Sequence, residues 1–338
     1  MERPTLSLII PVFNEEEIIE ELDRRLKAFL AALDETWEVV FINDGSKDRT
    51  LEMLQALSAE EPRYKIVDFA RNFGHQLAIT AGMDRAEGDA VVVMDADLQD
   101  PPEVVQEMLE RWREGYDVVY GQRTSRAGET LFKKVTAAAF YRLFSALIPI
   151  EVPLDTGDFR LMSRRVILTM RALREQHRFV RGMVSWIGFK QCAVQYERPE
   201  RFAGETKYPL RKMLRFAIDG ITSFSVVPLR LATWLGIFSG CVAIATSMWA
   251  LYAKIFGDTE QGWTTLVIVV ALAASAQLLM TGILGEYIGR IYEEVKRRPL
   301  YVVQDTYNLG DLSEERAKAT APTAPSTSPA APSTPDGQ

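Results

Sequence analysis

The segment Asp95-Ala96-Asp97-Leu98-Gln99-Asp100 carries two carboxylates two residues apart, with an amide at the next alternate position. That spacing lets Asp95, Asp97 and Gln99 converge on one hard cation such as Mg²⁺ or Mn²⁺. Both ions prefer oxygen ligands and leave coordination places for phosphate oxygens. Two acids around one residue are weak evidence alone, because acidic turns follow many strands. Here the apolar run Ala90–Met94 leads straight into the acids, and Pro101-Pro102 ends it and opens a helix, so the segment is a defined junction. Asn14-Glu15-Glu16 follows the run Leu6–Val12, and Asn43-Asp44-Gly45-Ser46 follows Trp37–Ile42. Each by itself is a turn that caps the next helix. Acidic loops at three strand ends together describe a rim suited to a nucleotide with a metal-bridged diphosphate. Soft ligands are scarce: the chain has Cys192, Cys241, His75 and His177 and no others of their kinds. Any metal is therefore expected on oxygen, and no disulfide framework is expected.

The elements that must position these loops follow from hydrophobic periodicity. Leu6–Val12, Trp37–Ile42, Ala90–Met94 and Tyr116–Tyr120 read as buried strands, and Glu15–Leu33, Asp48–Leu57 and Pro102–Glu114 as amphipathic helices between them. This alternation predicts an α/β domain with a mainly parallel sheet covered on both faces, which binds ligands at the carboxyl ends of its strands. The polar start at Met1 leads to a run of strand length rather than to a signal peptide, so residues 1–205 are expected to be a cytosolic catalytic domain. A net charge of −7 argues against nucleic acid as a partner.

The second half changes character. Leu231–Ala253 has 23 residues without a charge and Thr264–Gly285 has 22, each enough for a helix to cross a bilayer. A buried core hairpin is the alternative. Read as spans, residues 227–292 form a transmembrane helical hairpin. Arg201, Lys207, Arg211, Lys212, Arg215 and Arg230 precede it and Arg290, Lys296, Arg297 and Arg298 follow it, whereas the link offers Lys254 beside Asp258 and Glu260. This asymmetry places both termini in the cytosol, at the inner (plasma) membrane of the cell. Two basic amphipathic segments, 130–147 and 206–226, suit the headgroup layer of membrane lipids, with ordinary core packing as the alternative. A cytosolic segment, 293–312, follows the hairpin. Residues 313–338, rich in Ala, Pro, Ser and Thr, read as a disordered tail.

Together Pro11-Val-Phe13-Asn14-Glu15, Asn43-Asp-Gly-Ser46 and Asp95-Ala-Asp97-Leu-Gln99-Asp-Pro-Pro102 resemble inverting family-2 glycosyltransferases with the GT-A nucleotide-sugar-binding fold. Arg71-Asn-Phe-Gly74, Thr156-Gly-Asp158-Phe-Arg160 and Arg201-Phe-Ala-Gly-Glu-Thr-Lys207-Tyr208 narrow this resemblance. With the hairpin, they are similar to the polyisoprenyl-phosphate glycosyltransferases, a group related to dolichol-phosphate-mannose synthase and to bacterial undecaprenyl-phosphate glucosyltransferases. The resemblance runs from residue 4 to about residue 305.

It implies that Pro11, Phe13, Glu15 and Asp44 hold uridine, with Asp44 on the uracil edge. It also implies that Asp95, Asp97 and Gln99 hold Mg²⁺ or Mn²⁺ on the diphosphate. Arg123 with Lys134, or equally Lys133, would face donor and acceptor phosphates. Arg201 and Lys207 would lie in a loop that closes over the site, or on anionic lipid. Asp158, read as part of a loop Asp155-Thr-Gly-Asp158, is the candidate base. A phosphate monoester is largely ionised at neutral pH, however, so Asp158 is expected mainly to orient the acceptor or a donor hydroxyl. The implied reaction moves a sugar from a UDP-sugar to polyprenyl (undecaprenyl) phosphate with anomeric inversion, giving a lipid-phosphate-sugar for cell-envelope glycans. Glucose is the first choice of sugar; 4-amino-4-deoxy-arabinose, GlcNAc and a GDP-mannose donor stay open. The resemblance also implies a homo-oligomer, with a tetramer as one option, and a flippase and a downstream lipid-sugar-using transferase as partners. A processive polysaccharide synthase would need an intact Q-x-x-R-W signature, which Gln176-His-Arg178-Phe179 breaks. A nucleotidyltransferase would need a glycine-rich loop after the first strand, and a non-catalytic membrane scaffold would have no use for the intact acids.

Overall fold

The computed structural model describes residues 3–123, 156–197, 225, 227–256 and 262–309. Eight strands form one sheet: β1 (Leu6–Val12), β2 (Trp37–Asn43), β3 (Tyr64–Phe69), β4 (Ala90–Val93), β5 (Val118–Arg123), β6 (Thr156–Ser163), β7 (Gln191–Tyr196) and β8 (Val303–Tyr307), in the order β7-β5-β6-β4-β1-β2-β3-β8. Strands β4, β1, β2 and β3 are mutually parallel, and β5 runs parallel to β7. The antiparallel members are β6, between β4 and β5, and β8 on the edge against β3. The expected α/β class and mainly parallel sheet are thus present.

Every residue of β1 is buried, as are those of β4. A strand buried on both faces reads as a continuous apolar run, which is why these strands stand out in the sequence. The two-residue period then sorts the side chains. Leu6, Leu8, Ile10, Val39, Phe41 and Val92 enter one core, with α1 (Ile19–Ala31), α2 (Thr50–Glu60) and α4 (Val104–Arg113). Ile9, Val40, Ile42, Val91 and Val93 enter the other, with α3 (His75–Arg85), α5 (Arg164–Ala172) and α6 (Val180–Ile187).

Four strands depart from the sequence-based expectation. β3, β7 and β8 lie where no strand is expected, and Asp158 belongs to a strand, not to the expected loop. β6 is buried throughout yet contains Asp158 and Arg160, both 4% exposed. Those charges break the apolar pattern in the sequence and are paid for by partners inside the fold.

Two long helices complete the described chain, α7 (Val227–Phe256) and α8 (Trp263–Val295). They touch where Gly236 faces the Met280 sulfur, which a Cβ on the glycine would approach to 3.2 Å. Their large apolar side chains are exposed, Trp234, Phe238, Trp249 and Leu278 among them. Among the described residues, Val227–Trp249, with a mean hydropathy of 1.6, is the one stretch long and apolar enough to cross a membrane. The segments 130–147 and 206–224, with Lys133, Lys134, Arg201 and Lys207, lie outside the described residues, as do 257–261 and the tail.

Candidate active site

Because β4, β1 and β2 are adjacent and parallel, the loops after them open on one rim. The first two loops are sewn together. Asn14, at φ +54°, donates its N–H to the Ser46 hydroxyl at 3.0 Å and accepts the Lys47 N–H at 2.8 Å. The Glu15 and Glu16 amides donate to Thr50 Oγ1 and Asp48 Oδ2 at 2.8 and 3.2 Å. Regular helix α1 therefore begins at Ile19, after a turn at 15–18, rather than at Glu15. Pro11 is buried within β1, Phe13 is 42% exposed at the rim, and Glu15 is half-buried.

Asp44 is buried and accepts the N–H groups of Phe73 and Gly74 at 2.6 and 2.9 Å. Burial raises its pKa and outweighs the two amides and the cations His75 and Arg71, which lower it. The close approach of these two turns demands glycine at position 45. Gly45 sits at φ +67°, and a Cβ there would come within 2.5 Å of the Arg71 carbonyl carbon and 2.7 Å of the Asn72 nitrogen.

After β4, Leu98 at φ +60° turns the chain so that Asp97 Oδ1 accepts the Gln99 N–H at 3.1 Å. Asp95 and Asp97 are half-buried and Gln99 is buried. Asp95 Oδ1 is a buried oxygen that accepts no hydrogen bond, and it faces His75 Nε2 at 3.4 Å. Burial raises the Asp95 pKa, His75 opposes that, and the charges of Asp158 and Asp97 add to it.

Asp158 comes to this rim from the antiparallel neighbour β6. Arg181 of α6 donates Nε to its Oδ1 at 2.9 Å and Nη2 to its Oδ2 at 3.3 Å. Gln76 Nε2 donates to Oδ2 at 3.1 Å, and His75 Nε2 stands 3.3 Å from the same oxygen. Burial works to raise the Asp158 pKa. The hydrogen bond from His75 and the charge of Arg181 overcome it and hold the carboxyl far below the usual carboxylate range. Burial likewise opposes protonation of His75, but Asp158 and Asp95 prevail and raise its pKa.

Arg123, at the end of β5, donates Nε to the Tyr196 hydroxyl at 3.4 Å, and Tyr196 donates to Asp100 Oδ1 at 2.9 Å. Asp100 Oδ2 accepts the Asp95 N–H at 3.2 Å. Burial, reinforced by the Asp95 charge, pushes the Asp100 carboxyl up to about 7. Gly157 leaves room for the arginine, since a Cβ there would lie 2.7 Å from Arg123 Nη2.

The model of glycosyl transferase family 2 matches residues 7–170, which hold β1 to β6, Leu6 apart, and most of this rim. Relatives extend the match over almost the whole chain. Glycosyltransferase YkcC of Bacillus subtilis is 56% identical over 90% of this chain and 94% of its own length. The chain belongs to glycosyl transferase family 2. Within that family, glycosyltransferase sll0501 of Synechocystis is 43% identical, covering 92% of this chain and 98% of its own. The bactoprenol glucosyl transferase of Shigella phage SfII is 40% identical, covering 89% and 98%. The protein is thus a glycosyltransferase, and its GT-A sheet carries the rim described above.

Of the residues singled out in the sequence, the fold gathers Asp44, Asp95, Asp97, Asp158 and Arg123 into one linked region and leaves Pro11, Phe13 and Glu15 along its edge. His75, Gln76, Asp100, Arg181 and Tyr196 were not assigned roles from the sequence. His75 and Gln76 directly follow Arg71-Asn-Phe-Gly74, and Asp100 lies inside the acidic segment, so all three had a local signal. Arg181 lies just past the broken Gln176–Phe179 signature, and Tyr196 had none.

Proposed function

We propose that this glycosyltransferase moves a sugar, with glucose the first choice, from a UDP-sugar to a polyprenyl phosphate at the cytosolic membrane face, inverting the anomeric carbon. The observation that carries this reading is the joining of one acidic rim, built for a nucleotide diphosphate, to two long helices with exposed apolar surfaces. Relatives at 40% identity over most of the chain bear the name bactoprenol glucosyl transferase, which agrees with it.

Asp44 is the uracil reader in this scheme. Its two oxygens offer about four lone-pair sites, and Phe73 and Gly74 use two, so an N–H on the base edge can take another. Phe13, exposed beside it, offers a ring face to the nucleoside, with Pro11 and Glu15 flanking. Asp95, Asp97 and Gln99 fit a divalent cation: the donor set is all oxygen, and the buried Oδ1 of Asp95 accepts no hydrogen bond and has the His75 ring, at 3.4 Å, as its ion-pair partner. When bound, Mg²⁺ or Mn²⁺ would neutralise charge on the diphosphate of the leaving group.

A phosphate oxygen of the lipid attacks C1 of the sugar opposite UDP. The new C1–O bond forms as the bond to the β-phosphate breaks, and the electron pair leaves with UDP. Arg123 supplies positive charge near those phosphates, and Lys133 or Lys134, with Arg201 and Lys207, would complete the basic surround. The acceptor is already ionised, and both oxygens of Asp158 are engaged by donors. Asp158 therefore orients the acceptor or a sugar hydroxyl rather than taking a proton.

The helices α7 and α8 would anchor the enzyme as a two-span hairpin, which brings the rim to the headgroup depth where a polyprenyl phosphate lies. A homo-oligomer, and hand-over of the lipid-linked sugar to a flippase and a later transferase, belong to the same proposal. To test it, UDP release by the purified full chain is followed with UDP-glucose and a panel of other UDP- and GDP-sugars, with and without undecaprenyl phosphate. Release with UDP-glucose only when the lipid is present is expected. A preference for GDP-mannose would remove the uridine assignment of Asp44.

A further inference from the structure

The last turn of α8 and the residues just after it grip the loop that leads into α6. Gln176 donates its backbone N–H to Glu294 Oε1 at 2.7 Å and its side-chain amide to the Arg298 carbonyl at 2.7 Å. His177 Nε2 lies 2.6 Å from Glu293 Oε2, a close charge contact that is not aligned as a hydrogen bond. On the other side Arg178, buried, donates to the Leu173 carbonyl and, at 3.4 Å, to that of Met170, which closes the loop onto the end of α5.

Three residues after His177 the chain meets the Asp158 carboxylate. Val180 donates its N–H to Gln76 Oε1 at 2.9 Å, so Gln76 is held at one end by α6 while its other end donates to Asp158. Arg181, the next residue, supplies the paired donors to both carboxylate oxygens. The orientation of Asp158 thus depends on where the first turn of α6 sits. That helix has only eight residues, and Val180, Met183 and Val184 pack its inner face. Core packing holds the helix against the sheet, while its entering loop fixes the height and rotation of its first turn.

We propose that Gln176 and His177 are positioning residues for Asp158, fastening the start of α6 to the last turn of α8. α8 also carries the charge-free stretch Thr264–Gly285, so the same contacts join the membrane-anchoring part of the chain to a group of the reaction centre. Chains of hydrogen bonds and packed elements of this kind carry coupling between sites, and small misplacements near reacting groups are costly to rate. The inference rests on the orienting role given to Asp158 above.

The test uses the full chain in lipid vesicles. Glu293→Ala combined with Glu294→Ala removes the two carboxylates of the grip from exposed positions on α8, and Gln176→Ala combined with His177→Ala removes its side-chain contacts from the loop side. Each is expected to lower kcat by about tenfold with KM for UDP-sugar unchanged. Each should add no further loss in an Asp158→Asn background. An unchanged kcat, or an equal loss in both backgrounds, would overturn the proposal. Amide hydrogen exchange gives a readout independent of the sugar: in both variants the Val180 and Arg181 amides should exchange faster while those of β1 and β2 do not change. Unaltered exchange at Val180 would overturn it even if the wild-type chain transferred no sugar, an outcome that would instead remove the proposed function.

Discussion

The sheet and the long helices are built from similar apolar residues and use them in opposite ways. Ile9, Ile10, Val91 and Val92 are fully buried between two layers of helices, whereas Trp234, Phe238, Ile244 and Trp249 of α7 are more than half exposed. Burial within the protein is what stabilises the sheet domain, at roughly 25 cal/mol per Å² of apolar surface. The same kind of surface on α7 and α8 finds no cover among the described residues, and the proposed membrane anchoring is built on that exposure. The charged groups are reversed as well. The rim keeps Asp44, Asp158 and Arg160 inside the protein with dedicated partners, and the apolar stretches of α7 and α8 exclude charge altogether.

This contrast can be broken at either end. Asp97→Ala removes an oxygen from the rim and should lower transfer by on the order of a thousandfold while leaving the melting temperature nearly unchanged, read by turnover and thermal unfolding in parallel. Ile244→Arg places a charge midway along α7. With α7 spanning the bilayer as proposed, this should cost about 3 kcal/mol, seen as loss of the chain from alkali-washed membranes, with UDP binding retained. Asp158→Asn should reduce kcat by about a hundredfold equally at pH 6 and pH 8.5. Recovery at pH 8.5 would return Asp158 to the role of proton acceptor.

Smaller effects sharpen the picture of the rim. Gly45→Ala meets both a left-handed φ and the backbone of Asn72, and should destabilise the sheet domain by about 1 to 3 kcal/mol in denaturant unfolding. Asp117, 3% exposed, accepts from Arg165 and from Ser163 at 3.0 Å. Burial raises its pKa, but these partners outweigh it and lower the folded value below the unfolded one. Its contribution is therefore present above the unfolded pKa and lost as pH falls through the folded one. Asp117→Asn should cost about 1 kcal/mol at pH 7, because Arg165 is largely exposed, and the difference from wild type should shrink below about pH 4.

The parts of the fold that were legible in the sequence share one property: residue type alone reveals them. β1, β2 and β4 are continuous apolar runs closed by polar loops, and their adjacency brings Glu15, Asp44 and Asp95 to one rim as expected. β6 escaped because Asp158 and Arg160 are buried there, and only distant partners such as Arg181 and Gln76 make that tolerable. β8 escaped because Val303–Tyr307 is a polar edge strand, fixed by contacts such as Gln55 Nε2 to the Tyr307 hydroxyl at 2.7 Å, made with residues far away in the chain. The same reason makes Tyr196 and Arg181 illegible as site residues in the sequence. Their place in the site is set by tertiary neighbours, which no local spacing encodes.

The most direct measurement of the central claim is the mass of the lipid formed when the full chain, in vesicles containing undecaprenyl phosphate, is given UDP-glucose and Mg²⁺ or Mn²⁺. A gain of one hexose on the lipid phosphate, formed by the wild-type chain and not by Asp97→Ala, is expected. An unmodified lipid alongside released UDP, or a hexose gain that survives Asp97→Ala, would contradict the assignment.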